Sequence, residues 1–173
     1  MINQNSDSYQ VHASAPEQSI FDYNKSIMEL EEFYNHEMEQ VRNGNSKLLT
    51  GELMQLGYAL DFITLVNNNL MTMLDFTDNS ILLFENVLDR ISQLITNGTI
   101  AKEDVTDIIK KATGFFSVLV WKNIGGGFIN SNLGYGINVN NTNVFVFNRV
   151  GRRILGDKEA DTISFYQDIK NLL

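Results

Sequence analysis

The chain has no cysteine, one proline, one tryptophan and two histidines in 173 residues. Without cysteine there is no disulfide, no thiolate zinc site and no cysteine nucleophile. The shortage of histidine narrows catalysis further. His12 falls in a polar opening stretch. His36 has Glu32 before it and Glu39 after it, at spacings that put all three near one helix face. A lone histidine among glutamates is read as solvated surface. A carboxylate-bridged di-iron bundle needs Glu-x-x-His on two helices, and that tetrad is absent. Gly-x-Ser-x-Gly is absent as well. No catalytic residue, metal ligand or cofactor is therefore assigned, and an enzyme is not expected.

Long apolar runs are also missing. No stretch of about 18 apolar residues exists, so no transmembrane helix is expected. The opening residues have neither a basic start nor an apolar core, so they do not read as a signal peptide. The expected location is the cytoplasm, which the lack of cysteine suits. Asparagine is abundant while alanine is scarce, a bias that an AT-rich genome accounts for.

Positive charge is scarce in the first hundred residues. They hold 14 acidic and 4 basic side chains, a net of -10, whereas residues 101–173 hold 7 and 9, a net of +2. An acidic body argues against nucleic-acid binding, which uses Lys and Arg to neutralise phosphates.

What is present is helical periodicity. Residues 1–13 are polar and aperiodic, and are expected to form a disordered tail. Ser14-Ala15-Pro16-Glu17 has the form of a capping box, with proline tolerated in the first turn. A first helix should run to about Arg42, with Ile20, Tyr23, Ile27, Leu30, Tyr34, Met38 and Val41 as a narrow seam. Glu29, Glu31, Glu32, Glu37 and Glu39 lie on its other side. The seam could also pair two copies, so a homodimer is one expectation.

A second helix is expected over Ser46–Leu74. Its apolar face is wide, which makes it the candidate central helix. Asn67 takes one seam position, where it could be a buried polar group that fixes register, but the margin of the face is the favoured reading. A third is expected over Ser80–Thr96, capped by the Thr77-Asp78-Asn79 turn. A fourth starts between Thr99 and Asp104 and runs to about Val120. The apolar run Phe115–Trp121 fits a helix or a buried strand, and helix is favoured.

Beyond Val120 the pattern changes. Gly125-Gly126-Gly127 breaks the helix. It lacks the Gly-Lys-Ser/Thr ending of a phosphate loop, and a helix exit is the simpler reading. Tyr135–Val139 and Val144–Phe147 alternate like strands, with Asn140–Asn143 as the hairpin turn and Phe128-Ile129 as a short third strand. A lone ribbon is marginal in water, so it should lie on the helices. Asp157 is expected to cap a final helix with Ile163, Tyr166, Ile169 and Leu173 on its apolar face.

The expected fold is mainly α: a bundle-like core of four helices, a small C-terminal antiparallel ribbon and a final helix. One domain should span 14–173, with the bundle over 14–120, the ribbon over 126–150 and the last helix over 157–172.

Function rests on charge. Three of the five arginines, Arg149, Arg152 and Arg153, fall within five positions. Arginine forks recognise carboxylates or phosphates. Two uses are open: an anion or partner site framed by Trp121, Tyr135 and Asn148, or pairing with the chain's own acidic helices. The leading expectation is a non-enzymatic, bacterial or phage-type protein-binding module. Its acidic helical surface would cover a basic partner, in an immunity or antitoxin-like role. The first alternative is a small-ligand or anion binder, with a pocket between ribbon and helices lined by Trp121, Tyr135, Phe145 and Arg149. The second is an enzyme using carboxylates four apart, such as Glu85 with Asp89 or Glu103 with Asp107. Membrane insertion of Phe115–Ile129 is a lesser reading; neither membrane nor nucleic acid is expected as a partner.

Overall fold

The computed structural model describes residues 16–45, 50–131 and 134–173. The polar opening stretch and Ser14 of the capping box lie outside them. The described chain is mainly helical, with one small antiparallel sheet. Its helices are α1 (Pro16–Arg42), α2 (Thr50–Leu70), α3 (Ser80–Thr96) and α4 (Val105–Asn123). Strands β1 (Gly127–Ser131), β2 (Gly134–Val139) and β3 (Thr142–Val144) follow, then α5 (Val146–Ile154) and α6 (Thr162–Lys170).

The centre of the molecule is α4. Every residue from Ala112 to Val120 is buried, while α2 leaves Asp61, Thr64 and Asn67 to Asn69 exposed. This corrects the expectation that α2 is central. A wide apolar stripe marks contact on two sides, but a helix apolar all round is the one enclosed by the others. Phe115 and Phe116 belong to that helix and meet Phe62, Phe76, Phe84, Phe165 and Tyr166. Helices α2 and α4 approach closely at Gly114. A Cβ there would lie 2.6 Å from both the Gln55 carbonyl oxygen and Tyr58 Cβ, so only glycine fits.

Helix α2 ends four residues before the expected Leu74. Met71 adopts φ 49°, the left-handed conformation that closes a helix. The Arg90 guanidinium caps the freed Leu70 carbonyl at 3.0 Å. The chain then runs on with Leu74 and Phe76 buried, so the apolar spacing persists after the helix has stopped. The expected cap of α3 is differently built. Asn79 makes no side-chain cap bond. Asp75 instead gathers Thr77 N, Thr77 Oγ1 and Ser80 Oγ around one carboxylate oxygen.

The seam of α1 lies against the core, with Leu30 buried and Ile27, Tyr34 and Met38 half-buried. Val41 is exposed, and so is Asn67, which sits at the margin of α2 and not in its seam.

The sheet order is β1-β2-β3, antiparallel throughout. Asn140 and Asn141, at φ 47° and 62°, make the hairpin turn. The ribbon is pinned to α2 by Gln55, whose Nε2 donates to the carbonyls of Ile129 at 2.9 Å and Gly136 at 3.3 Å.

The expected strand over Val144–Phe147 is not formed. Val144 ends β3, and Val146 opens α5. Val146, Val150 and Ile154 recur every fourth residue and are all fully buried, and this longer helical period overrides a four-residue alternation. The ribbon therefore ends at Val144, and the arginines sit on a helix. Asp157 caps a single 3-10 turn (Lys158–Ala160), and Asp161 caps α6 by accepting from Ile163 N and Ser164 N. The buried face of α6 is Thr162, Tyr166 and Ile169; Ile163 and Leu173 are exposed.

Candidate functional site

The three arginines of α5 separate into different surroundings. At 3.6 residues per turn, Arg149 and Arg152 fall on one side of the helix, and Arg153 joins the buried Val146–Val150 side. Arg153 is the buried member. Its Nε donates to Glu85 Oε1 at 2.5 Å and its Nη2 to Asp89 Oδ1 at 3.0 Å. Its side chain is 7% exposed, against 59% for Arg152. Burial opposes the Arg153 charge, but the hydrogen bonds to Glu85 and Asp89 and their negative charges outweigh it. The guanidinium holds its proton more tightly than an ordinary arginine.

Glu85 uses both oxygens. Oε1 takes Arg153, and Oε2 accepts from Thr162 N at 2.9 Å and Thr162 Oγ1 at 2.6 Å. The carboxylate thus joins α3, α5 and the first turn of α6, where a negative group also favours the positive end of the helix. The candidate acid–base pair Glu85 and Asp89 is brought together, but around a guanidinium that both carboxylates share. Glu103 is exposed, and Asp107 is paired with Lys111 at 2.6 Å.

Arg152 pairs with Asp157 at 2.5 Å on the surface. That hydrogen bond is the main reason the Asp157 carboxyl lies below its ordinary range. Arg149 lies over the Phe165 ring, 4.8 Å from its centroid, and its Nη1 donates to the Glu159 carbonyl at 3.1 Å. Asn148, Arg149 and Arg152 line a shallow cavity of about 350 Å³ with Asn143, Phe145 and Phe165. Three of the six candidate site residues therefore share one surface.

The other candidates do not join them. Trp121 is packed between Phe33 and Phe128, with ring centroids 5.8 and 5.5 Å away, and ties α1 to α4 and β1. Tyr135 is edge-on to Tyr58 at 6.3 Å and to Phe147 at 6.2 Å. Beneath the ribbon, Gln55, Ile137 and Val139 are fully buried, and of the four residues expected to line a ligand pocket only Phe145 and Arg149 share a cavity among the described residues.

A second lock, unforeseen in the sequence, fastens the far end of α6. Tyr166 Oη donates to Asp78 Oδ1 at 2.5 Å, and Lys170 Nζ meets Asp78 Oδ2. The bonds from Lys170 and Tyr166 hold the Asp78 carboxyl below its ordinary value, while burial and Asp78 push the Tyr166 phenol up. The only hint in the sequence was a turn aspartate that a helix cap did not need.

The glutamates of α1 face outward: Glu29, Glu31, Glu32 and Glu39 are exposed and Glu37 is half-buried, with His36 exposed among them. Among the described residues no group of three His, Asp or Glu side chains is arranged to hold a metal ion. No helix among them is long and apolar enough to cross a membrane. No protein-family model, curated protein or solved structure matches the chain.

Proposed function

We propose that this chain is a non-catalytic protein-binding module whose acidic helical face engages a basic partner. The observation that carries the reading is the disposition of charge. Glu31, Glu32 and Glu39 of α1 are exposed, while Arg153 and Arg152 are paired within the chain. Glu31, Glu32 and Glu39 thus present negative charge at the surface, which would steer a basic protein toward it. An immunity or antitoxin-like inhibitor of a bacterial or phage system, covering a basic active site or nucleic-acid groove, has this charge logic. Its setting would be the cytoplasm.

The test is co-purification of the tagged chain with the products of its neighbouring genes. The expected result is one basic protein, retained at low salt and released as ionic strength rises. Recovery of no protein partner, or of one whose retention is indifferent to salt, counts against the proposal.

A second reading is favoured by one specific feature, the Arg149 guanidinium held on Phe165 beside Asn148 and Arg152. It makes this cavity an anion site. Titration with inorganic phosphate, followed by amide shifts of Asn148 and Arg149, decides it: saturation supports the site and unmoved shifts remove it.

A further inference from the structure

A second cavity, of about 570 Å³, opens where the ends of α2 and α3 meet the start of α4. Its size is that of a small-molecule site. Leu65, Leu70, Ile91 and Ile108 form its floor, and Leu94 and Ile100 its walls. Ile100 sits in the turn after α3, held by its N–H bond to the Leu94 carbonyl at 3.1 Å. Aliphatic side chains left around a half-open space favour an apolar guest, because filling the space removes their surface from water.

The mouth is polar and acidic. Asn69, Thr99, Asp104 and Asp107 line it, and no lysine, arginine or histidine does. Of the cations near it, Lys111 and Arg90 are tied, and Lys102, next to the lining residue Ala101, is exposed. Lys111 pairs with Asp107 at 2.6 Å, and Arg90 donates to the Leu70 carbonyl and to Thr72 Oγ1, each at 3.0 Å. Asp104 differs from Asp107. It precedes α4, yet its side chain makes no capping bond there, and no ion pair engages it among the described residues. An exposed carboxylate unused by the fold thus stands at the mouth of an aliphatic cavity.

We infer that this cavity binds a small amphiphilic organic cation, its hydrocarbon body on Leu65, Ile91 and Ile108 and its ammonium against Asp104. Apolar walls without a basic group select against a carboxylate of the same shape, which would place its charge beside Asp104 and Asp107. The site is remote in sequence from the arginines of α5 and does not depend on the protein-binding reading.

The probes are phenylbutylammonium, phenylbutanol and phenylbutyrate, three compounds with similar bodies and different heads. Each is titrated into the isotopically labelled chain while backbone amide shifts are followed. The amine should give saturable shifts centred on Leu94, Ile100 and Ile108, with Kd below about 1 mM. The alcohol should bind the same residues more weakly, and the butyrate should leave them unmoved. Asp104→Asn should weaken the amine about 2–5-fold and leave the alcohol unchanged. Asp168→Asn, which removes an equal charge from α6, should change neither. Ile100→Lys, which puts a cation on the half-buried wall of the cavity, should abolish both. The inference is overturned if no probe gives saturable shifts there, if the butyrate binds as well as the amine, or if Asp168→Asn weakens the amine as much as Asp104→Asn.

Discussion

Arg152 and Arg153 are neighbours in the chain, and each meets an aspartate. Arg152 reaches Asp157 at the surface with more than half of its side chain in water. Arg153 turns the other way, is 7% exposed, and meets both Glu85 and Asp89. Two identical side chains, one residue apart, thus do different work. In water an ion pair gains little over hydration, and salt screens it. Out of water, each partner must be satisfied, and removing one leaves a charge with neither solvent nor partner. The pair therefore teaches that an arginine cluster is not one unit: helical geometry sorts its members before any partner is considered.

The comparison can be broken most directly at Arg153. Arg153→Ala should cost about 3–5 kcal/mol in urea denaturation, because Glu85 and Asp89 are then left facing each other without a cation. Thr162→Val comes next. It keeps the shape but removes the hydroxyl bond to Glu85 Oε2, and should cost about 1.5–3 kcal/mol. Arg152→Ala should cost at most about 1 kcal/mol, and less at high salt. Equal losses at Arg152 and Arg153 would show that burial is not what separates them.

A pH series probes the second lock of α6 and has the smallest expected effect. The folded Asp78 carboxyl is depressed below its ordinary 3.8 by Lys170 and Tyr166. A depressed carboxyl stabilises the fold above its unfolded pKa, and that contribution is lost as pH falls through the folded value. Protection factors of the Tyr166 and Ile169 amides, corrected for the intrinsic pH dependence of exchange, should be steady from pH 7 to about 5 and should fall below about 4. A loss of protection that begins near neutrality would assign the docking of α6 to some other group.

Much of the helical architecture was legible in the sequence, because long periodic stretches carry their own registration. The bounds of α3 and the Asn140-Asn141 turn follow from local chemistry alone. The errors cluster where a short pattern fits two periods. Val144–Phe147 alternates like a strand, and only Val150 and Ile154 further on reveal the helix. Leu74 keeps the spacing of α2 although Met71 has already ended it, since an extended segment can bury the same leucine. Of the candidate site, the sequence showed that Arg149–Arg153 and the Glu85–Asp89 pair were each unusual. It could not show that Arg153 lies between those two acids, because their meeting depends on how α5 packs against α3. Trp121 and Tyr135 part from the arginines for a related reason: each is packed on a ring distant in the sequence, Phe33 for Trp121 and Tyr58 for Tyr135.

In the proposed complex the exposed glutamates of α1, and not the arginines of α5, meet the partner. One head-to-head binding measurement tests it, using the protein recovered by co-purification. One variant carries Glu31→Gln, Glu32→Gln and Glu39→Gln, and the other carries Arg149→Gln and Arg152→Gln. All five positions lie outside the buried network around Glu85, so both variants should fold. The glutamine-for-glutamate variant should lose at least about tenfold in affinity, mostly through slower association, while the arginine variant should bind like the parent. Retained binding by the first and lost binding by the second would contradict it.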